Sequence, residues 1–283
     1  MNNLISLIIE NTSKGKIEQS VASEIVKKLL KNQNLKVETD IAIVGMALRV
    51  PGAETTDQFW DNLVCGKKSI DVFPEGRVLD AENLIKCVNP GREKIEFSRG
   101  GYLTNIKKFD YEFFKLSPKE AKFMDPNQRM FLKVAYETIE DAGYTKEDLN
   151  NTKTGVFVGN TAWPLYAQYI VQLQSDDLST AMTGNVSSVL ASRISYMMNL
   201  KGPSVVIDTA CSSSLVAVHL ACQSIINGEC EQAIAGGIKL NLFHTEGLVK
   251  IGIESEDSET RTFDDNADGT VWGEGVAAIF IKP

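Results

Sequence analysis

One stretch concentrates the groups that could do chemistry. Asp208-Thr-Ala-Cys211 is followed by three serines and then by Leu215-Val-Ala-Val-His-Leu-Ala-Cys-Gln-Ser-Ile-Ile226. An apolar strand ending at Ile207 and a helix starting near Cys211 put the thiol at a helix N-terminus. There, free backbone N–H groups and the positive end of the helix dipole favour thiolate. The same N–H groups, that of Cys211 included, could form part of an oxyanion hole for a thioester or ester carbonyl. The chemistry implied is acyl transfer through a Cys211 nucleophile. A free cysteine is also a common small buried residue, and position alone leaves both readings of Cys211 open. For Cys65, Cys87, Cys222 and Cys230 the buried reading is the expectation. The sequence holds only two histidines, His219 and His244. His219 lies roughly 12 Å along the helix from Cys211 at 1.5 Å per residue, too far to assist it, and His244 reads as a surface or structural residue. The Asp208 carboxylate is expected to anchor the turn rather than act as a base, because a nearby anion opposes thiolate formation.

The elements that must position this segment are legible as apolar runs. Residues 41–45, 154–159, 204–207, 233–238 and 276–281 read as strands apolar on both faces, as in the interior of a mostly parallel sheet covered by helices. Helical stretches are expected near Asp57–Val64, Pro126–Ala142, Val186–Met198 and Cys211–Asn227, the second marked by Asp125-Pro126 at its start and Gly143 at its end. Residues 73–115 are aromatic and turn-rich and read as an irregular insertion. The Cys211 helix has no polar face, so it needs cover on two sides. One sheet supplies one side, and nothing after Gly228 looks like a second layer. Ahead of all this, Ile17, Val21, Ile25 and Leu29 recur every four residues with Lys27, Lys28 and Lys31 opposite, an amphipathic helix. It could fold onto its own domain or dock on a partner. Residues 32–40 read as a linker.

Composition narrows the class. The 283 residues are 43% apolar and 23% charged, ordinary for a globular α/β protein. Lys+Arg 29 against Asp+Glu 37 gives a net charge of −8, which argues against a nucleic-acid binder. Five cysteines without a C-x-x-C pair suggest neither a disulfide framework nor a zinc site, and hence a reducing cytoplasmic compartment. No run approaches the length of a membrane span. Asp264, Asp268 and Glu274 are expected to tie loops together rather than bind a metal, and Asp125 with Arg129 to form a local ion pair.

The segment Asp208-Thr-Ala-Cys-Ser-Ser-Ser-Leu215 resembles the active-site signature of β-ketoacyl synthase (ketosynthase) domains of modular type I polyketide synthases. Supporting stretches follow in family order, among them Ile41–Met46, Phe109–Phe114, Met124–Arg129, Ser192–Tyr196, Lys201–Ser204, Ala235–Gly237 and Arg261–Asp264. Thr270–Val276 resembles the type whose acyltransferases act in trans. The resemblance implies the first half of a thiolase-like fold over residues 39–283. It predicts a five-stranded mixed sheet in the order 3-2-1-4-5, the last strand antiparallel, with covering helices, and a helical linker or docking segment over residues 1–38. It implies that Cys211 takes an acyl chain from the phosphopantetheine arm of an acyl carrier protein and passes it to a decarboxylating extender unit. Two family histidines lie in a C-terminal half absent from this sequence, so the chain alone is not expected to condense; His219 falls where the family often has a packing histidine. No bound cofactor or metal is implied. The implied partners are carrier proteins, the C-terminal half, an upstream synthase polypeptide through residues 1–38, and a second copy in a homodimer. Lys107, Lys108, Lys115, Lys119 and Lys122 cluster in sequence as candidates for a basic carrier-protein patch. The alternatives are an enzyme that transfers acyl groups without elongating them, and a non-catalytic docking or scaffold half.

Overall fold

The computed structural model describes residues 2–34, 40–91, 95–161, 165–173, 178–242 and 252–283. The chain forms two compact units, Met1–Asp40 and Ile41–Pro283. In the first, helices α1 (Asn2–Ser13) and α2 (Gln19–Asn34) flank a turn at Gly15. Ile8 and Ala22 are buried, whereas Leu7, Ile9, Val21 and Ile25 stay exposed.

The second unit is built on five strands, β1 (Ala42–Arg49), β2 (Thr154–Gly159), β3 (Ser204–Ile207), β4 (Gln232–Lys239) and β5 (Gly275–Lys282). Strand alternation sorts the core. Val156, Val158, Ile234 and Ile238 face helices α6 (Pro126–Asp141) and α10 (Val189–Met198), while Phe157, Ile207, Ala233 and Ala235 face α11 (Ser213–Ile226). The layers are therefore helix, sheet, helix. Local chemistry starts the helices as expected. Asp125 accepts from the Asn127 N–H at the head of α6, with Pro126 in its first turn. Its carboxylate is spent on that cap rather than on the expected ion pair with Arg129.

The sheet is mixed and five-stranded, but its order is 3-2-4-5-1, not 3-2-1-4-5. β2 runs parallel to β3 and β4, and β5 runs antiparallel to both β4 and β1, as expected for the last strand. Apolar periodicity assigns faces, not neighbours, and the connection from Arg49 to Thr154 is long enough to carry β1 to the far edge. There Ile43 is 55% exposed, unlike an interior strand residue.

The segment read as an irregular insertion holds a helix, α4 (Glu75–Val88). The reason for its placement is Arg77. The guanidinium is 3% exposed and the Glu274 carboxylate it meets is 0% exposed, in a two-pronged pair of 2.7 and 2.8 Å. Glu274 also accepts from the Leu103 N–H at 2.7 Å and the Asn241 N–H at 2.9 Å. Arg77 returns bonds to the Leu103 and Asn241 carbonyls and lies over the Phe73 and Tyr102 rings. Every charge in the pair is matched, which is the condition for burying one. The Glu274→Ala variant leaves the guanidinium uncompensated and is expected to lose about 3–5 kcal/mol of stability in urea unfolding; a loss below about 1 kcal/mol would show that the pair is not structural.

Candidate active site

The turn between β3 and α11 is held by its own side chains. Ala210 sits at φ +55°, a left-handed conformation that costs a non-glycine residue about 1–3 kcal/mol unless its surroundings enforce it. They do. The Asp208 carboxylate accepts from the Ala210 N–H at 3.0 Å and from the Thr161 hydroxyl at 2.9 Å. Ser213 Oγ accepts from the Thr209 N–H at 2.9 Å and donates to the Ala210 carbonyl at 2.6 Å. Ser212 Oγ donates to the Thr209 carbonyl at 2.9 Å. Residues Ala210–Ser212 form a single 3-10 turn, and α11 starts at Ser213. Cys211 lies in that turn with its side chain exposed.

The sheet lets the helix come this close because two strand ends carry glycine. A Cβ on Gly159 would lie 2.5 Å from the Ser214 nitrogen, and one on Gly237 would lie 2.7 Å from Ser214 Cβ. Farther along, Ala217 and Ala221 pack among Ala233 and Ala235, so small residues keep the whole helix near the sheet. Its other face is open: Leu215 is 75% exposed, and Leu220, Ile226 and His219 are exposed as well. The expected second cover is not supplied by the described residues. His219 is exposed among the described residues, and His244 lies outside them.

Electrostatics follow from these contacts. The Ala210 N–H, then the Thr161 hydroxyl, with the Lys239 charge, hold the Asp208 carboxyl below the usual carboxylate range. Burial pushes the Asp125 carboxyl up, against the Asn127 donors and the charges of Arg129 and Lys239. Burial raises the Cys222 and Cys230 thiols and so keeps them protonated. Of the four cysteines expected to be buried, Cys230 is, Cys87 and Cys222 are half-buried, and Cys65 at the end of α3 (Thr56–Val64) is exposed. Asp268 accepts from the Glu256 N–H and Asp264 from the Asn266 N–H, loop ties of the expected kind. Lys107 donates to the Gly76 carbonyl and pairs with Asp80. Among the described residues no cluster of three or more His, Cys, Asp or Glu could hold a metal ion, and no helix is long and apolar enough to cross a membrane. Sequence reasoning missed Thr161 and the serine network, since a hydroxyl between apolar runs gives no signal.

A thiol on a strained strand-to-helix turn, carried by a helix laid close on a mixed five-stranded sheet, marks an α/β protein with a candidate cysteine nucleophile. Comparison with known proteins narrows this. Residues 38–283 match the family of the β-ketoacyl synthase N-terminal domain. Polyketide synthase PksL of Bacillus subtilis is 40% identical over 262 residues, covering 88% of this chain and 6% of that protein. Polyketide synthase PksM of the same organism is 40% identical over 245 residues, covering 86% of this chain and 6% of its own length. A cysteine-to-serine variant of the ketosynthase from module 6 of the Bacillus subtilis bacillaene synthase aligns with TM-score 0.71 at 40% identity, covering 86% of this chain and 40% of that one. The oxazolomycin ketosynthase domain of Streptomyces albus aligns with TM-score 0.73 at 37% identity, covering 86% of this chain and 43% of that one. This chain belongs to the β-ketoacyl synthase family, within its N-terminal domain, and it spans less than half of these solved ketosynthases.

The close seat of α11 and the Asp208 clamp can each be tested. Gly159→Ala drives a methyl into the first turn of α11 and is expected to cost about 2 kcal/mol or more in urea unfolding; an unchanged midpoint would mean the helix is free to lift. The lowered Asp208 carboxyl contributes stability above its ordinary titration range that is lost as pH falls through its value in the folded protein. The unfolding midpoint of the wild type should thus fall more steeply below about pH 4 than that of Asp208→Asn, whose amide oxygen accepts the same bonds without titrating. Parallel slopes would sink this.

Proposed function

We propose that this chain is the nucleophile-bearing part of a ketosynthase that elongates polyketide chains. The observation that carries it is the exposed Cys211 thiol on a turn held by Asp208 and Ser213, in a chain of this family. In the proposed reaction the Cys211 thiolate attacks the thioester carbonyl of an acyl group on the phosphopantetheine arm of an acyl carrier protein. Negative charge gathers on the carbonyl oxygen, where the Cys211 N–H would form part of the oxyanion hole. The phosphopantetheine thiol leaves and takes up a proton. A malonyl extender on a second carrier then loses carbon dioxide, and the resulting carbanion attacks the acyl-cysteine carbonyl. The Cys211 thiolate is expelled, and a β-ketoacyl thioester remains on the carrier. Both reactants arrive on carrier arms, so no bound cofactor is invoked, and a reducing cytoplasm keeps the thiol free.

The C-terminal half of a ketosynthase is the proposed cover for the open face of α11 and the source of the two histidines that assist decarboxylation. His219 does not replace them. Without that half, condensation by this chain alone is not expected. The bacillaene neighbour supports the trans-acyltransferase type, and a family-type homodimer is the proposed assembly. A second role proposed for residues 1–38, supported by their amphipathic pattern of Ile17, Val21, Ile25 and Leu29, is a docking segment for an upstream synthase polypeptide.

The test is intact-protein mass spectrometry after incubation with acyl-pantetheine thioesters, with and without the C-terminal half added. An acyl adduct on the wild type that is lost in Cys211→Ala is expected when the second half is present, and deleting residues 1–38 should leave it unchanged while weakening a partner interaction. No adduct on folded protein under either condition would leave only the scaffold reading.

A further inference from the structure

The strands beneath the Cys211 turn are almost free of charge. β2 and β3 carry no charged residue, β4 carries one, Lys239, and residues 210–226 carry only His219 as a basic group. Lys239 is the next residue in the series Ala233, Ala235, Gly237, which lines the α11 side of the sheet and ends against Ser214. It therefore emerges on the α11 side, one step beyond the glycine that touches the helix start.

Register places Asp208 across from it. Gly159 pairs with Ile207 on one side and Gly237 on the other. Asp208, one residue past Ile207, and Lys239, two past Gly237, thus lie on either side of the chain just beyond β2, their backbones about 9.6 Å apart in the pairing direction. Thr161, which follows β2, holds Asp208 from between them. Among the described residues, α6 brings further charges to this end of the sheet. Asp125 and Arg129 stand at its first turn, and Asn127 accepts from the Leu240 N–H at 3.1 Å, fixing the backbone beside Lys239. Half-buried, Lys239 would lose its proton more easily were it alone; Asp208 and then Asp125 oppose this and favour its charge.

Asp208 has two effects on the thiol that conflict. Its hydrogen bonds shape the turn, yet a carboxylate three residues from a sulfur disfavours thiolate. We infer that Lys239 is a positioning residue whose ammonium offsets the Asp208 carboxylate, so that Asp208 can clamp the turn without presenting net negative charge to Cys211. This rests on Cys211 being the acyl acceptor.

The inference is tested on the full chain by alkylation with iodoacetamide, in which the thiolate displaces iodide to form a thioether and the thiol proton goes to buffer. Peptide mass spectrometry resolves the sites, and the exposed Cys65 serves as internal reference. Lys239→Met is expected to slow Cys211 alkylation at neutral pH about fivefold and to move its pH–rate profile upward, with Cys65 unchanged. Lys239→Arg should restore the rate to within about twofold, and in an Asp208→Asn background Lys239→Met should cost less than about twofold. Circular dichroism checks folding, and Lys239→Gln replaces the Met variant under the same criteria if that variant unfolds. A Lys239→Met rate within about twofold of wild type, an equal loss in both backgrounds, or no rescue by folded Lys239→Arg would overturn the inference. Alkylation needs no acyl donor. A Cys211 that alkylates as expected but never accepts an acyl group would instead overturn the acceptor reading and leave the role of Lys239 in thiol reactivity standing.

Discussion

The Glu274 carboxylate joins four segments through one buried side chain. It is wholly buried, and it accepts from Arg77 of α4, from the Leu103 N–H and from the Asn241 N–H just past β4, while standing next to the first residue of β5. A buried carboxylate without donors would be prohibitively costly, so the pair holds these four segments in one geometry or not at all. Because Asn241 is one of its partners, the pair also determines where β4 stops. Gly237 and Lys239 lie within the last residues of that strand, so the seat of the Cys211 helix depends on an ion pair formed mostly by residues far from it in sequence.

From that seat the strain at Ala210 becomes intelligible. A left-handed alanine survives when its N–H and carbonyl are each committed elsewhere, here to Asp208 and Ser213. Ser213 is buried and bonds in both directions, so it cannot relax without opening the first turn of α11. The three serines after Cys211 therefore do different jobs. Ser212 and Ser213 tie the turn, and Ser214 is the surface that Gly159 and Gly237 accommodate.

Much of this was legible in the amino-acid sequence and some could not be. The five strands, the Cys211 turn and the main helices stand out because apolar runs, caps and glycine stops are local signals. The sheet order is not local. An alternation that says which face Ile43 occupies is silent about whether β5 or β2 lies beside it. The helix α4 escaped because its buried arginine reads as polar until Glu274 is known to lie opposite. Thr161 and Lys239 escaped for a similar reason, since their partners are set by register across three strands. The unpolar surface of α11 was the most informative pattern: it called for cover on two sides, and the described residues cover one of them.

That helix meets two demands at once, and its sequence separates them by face. Inward, Ala217 and Ala221 meet Ala233 and Ala235, and the small side chains bring the helix axis close to the sheet. Larger residues there would lift the axis, pull Ser214 from Gly159 and Gly237, and lengthen the Asp208 bond that holds Ala210. The position of the sulfur is thus a consequence of packing along the whole helix, not of the turn alone. Outward, Leu215, His219 and Ile226 are exposed, the face that the proposed C-terminal half would cover. Whatever covers it rests on the same rigid rod that carries the thiol, so groups on the cover take their distance from the sulfur through helix packing rather than through a flexible loop. A catalytic partner can then be supplied from beyond these residues without loss of precision, which is the arrangement the proposed function requires.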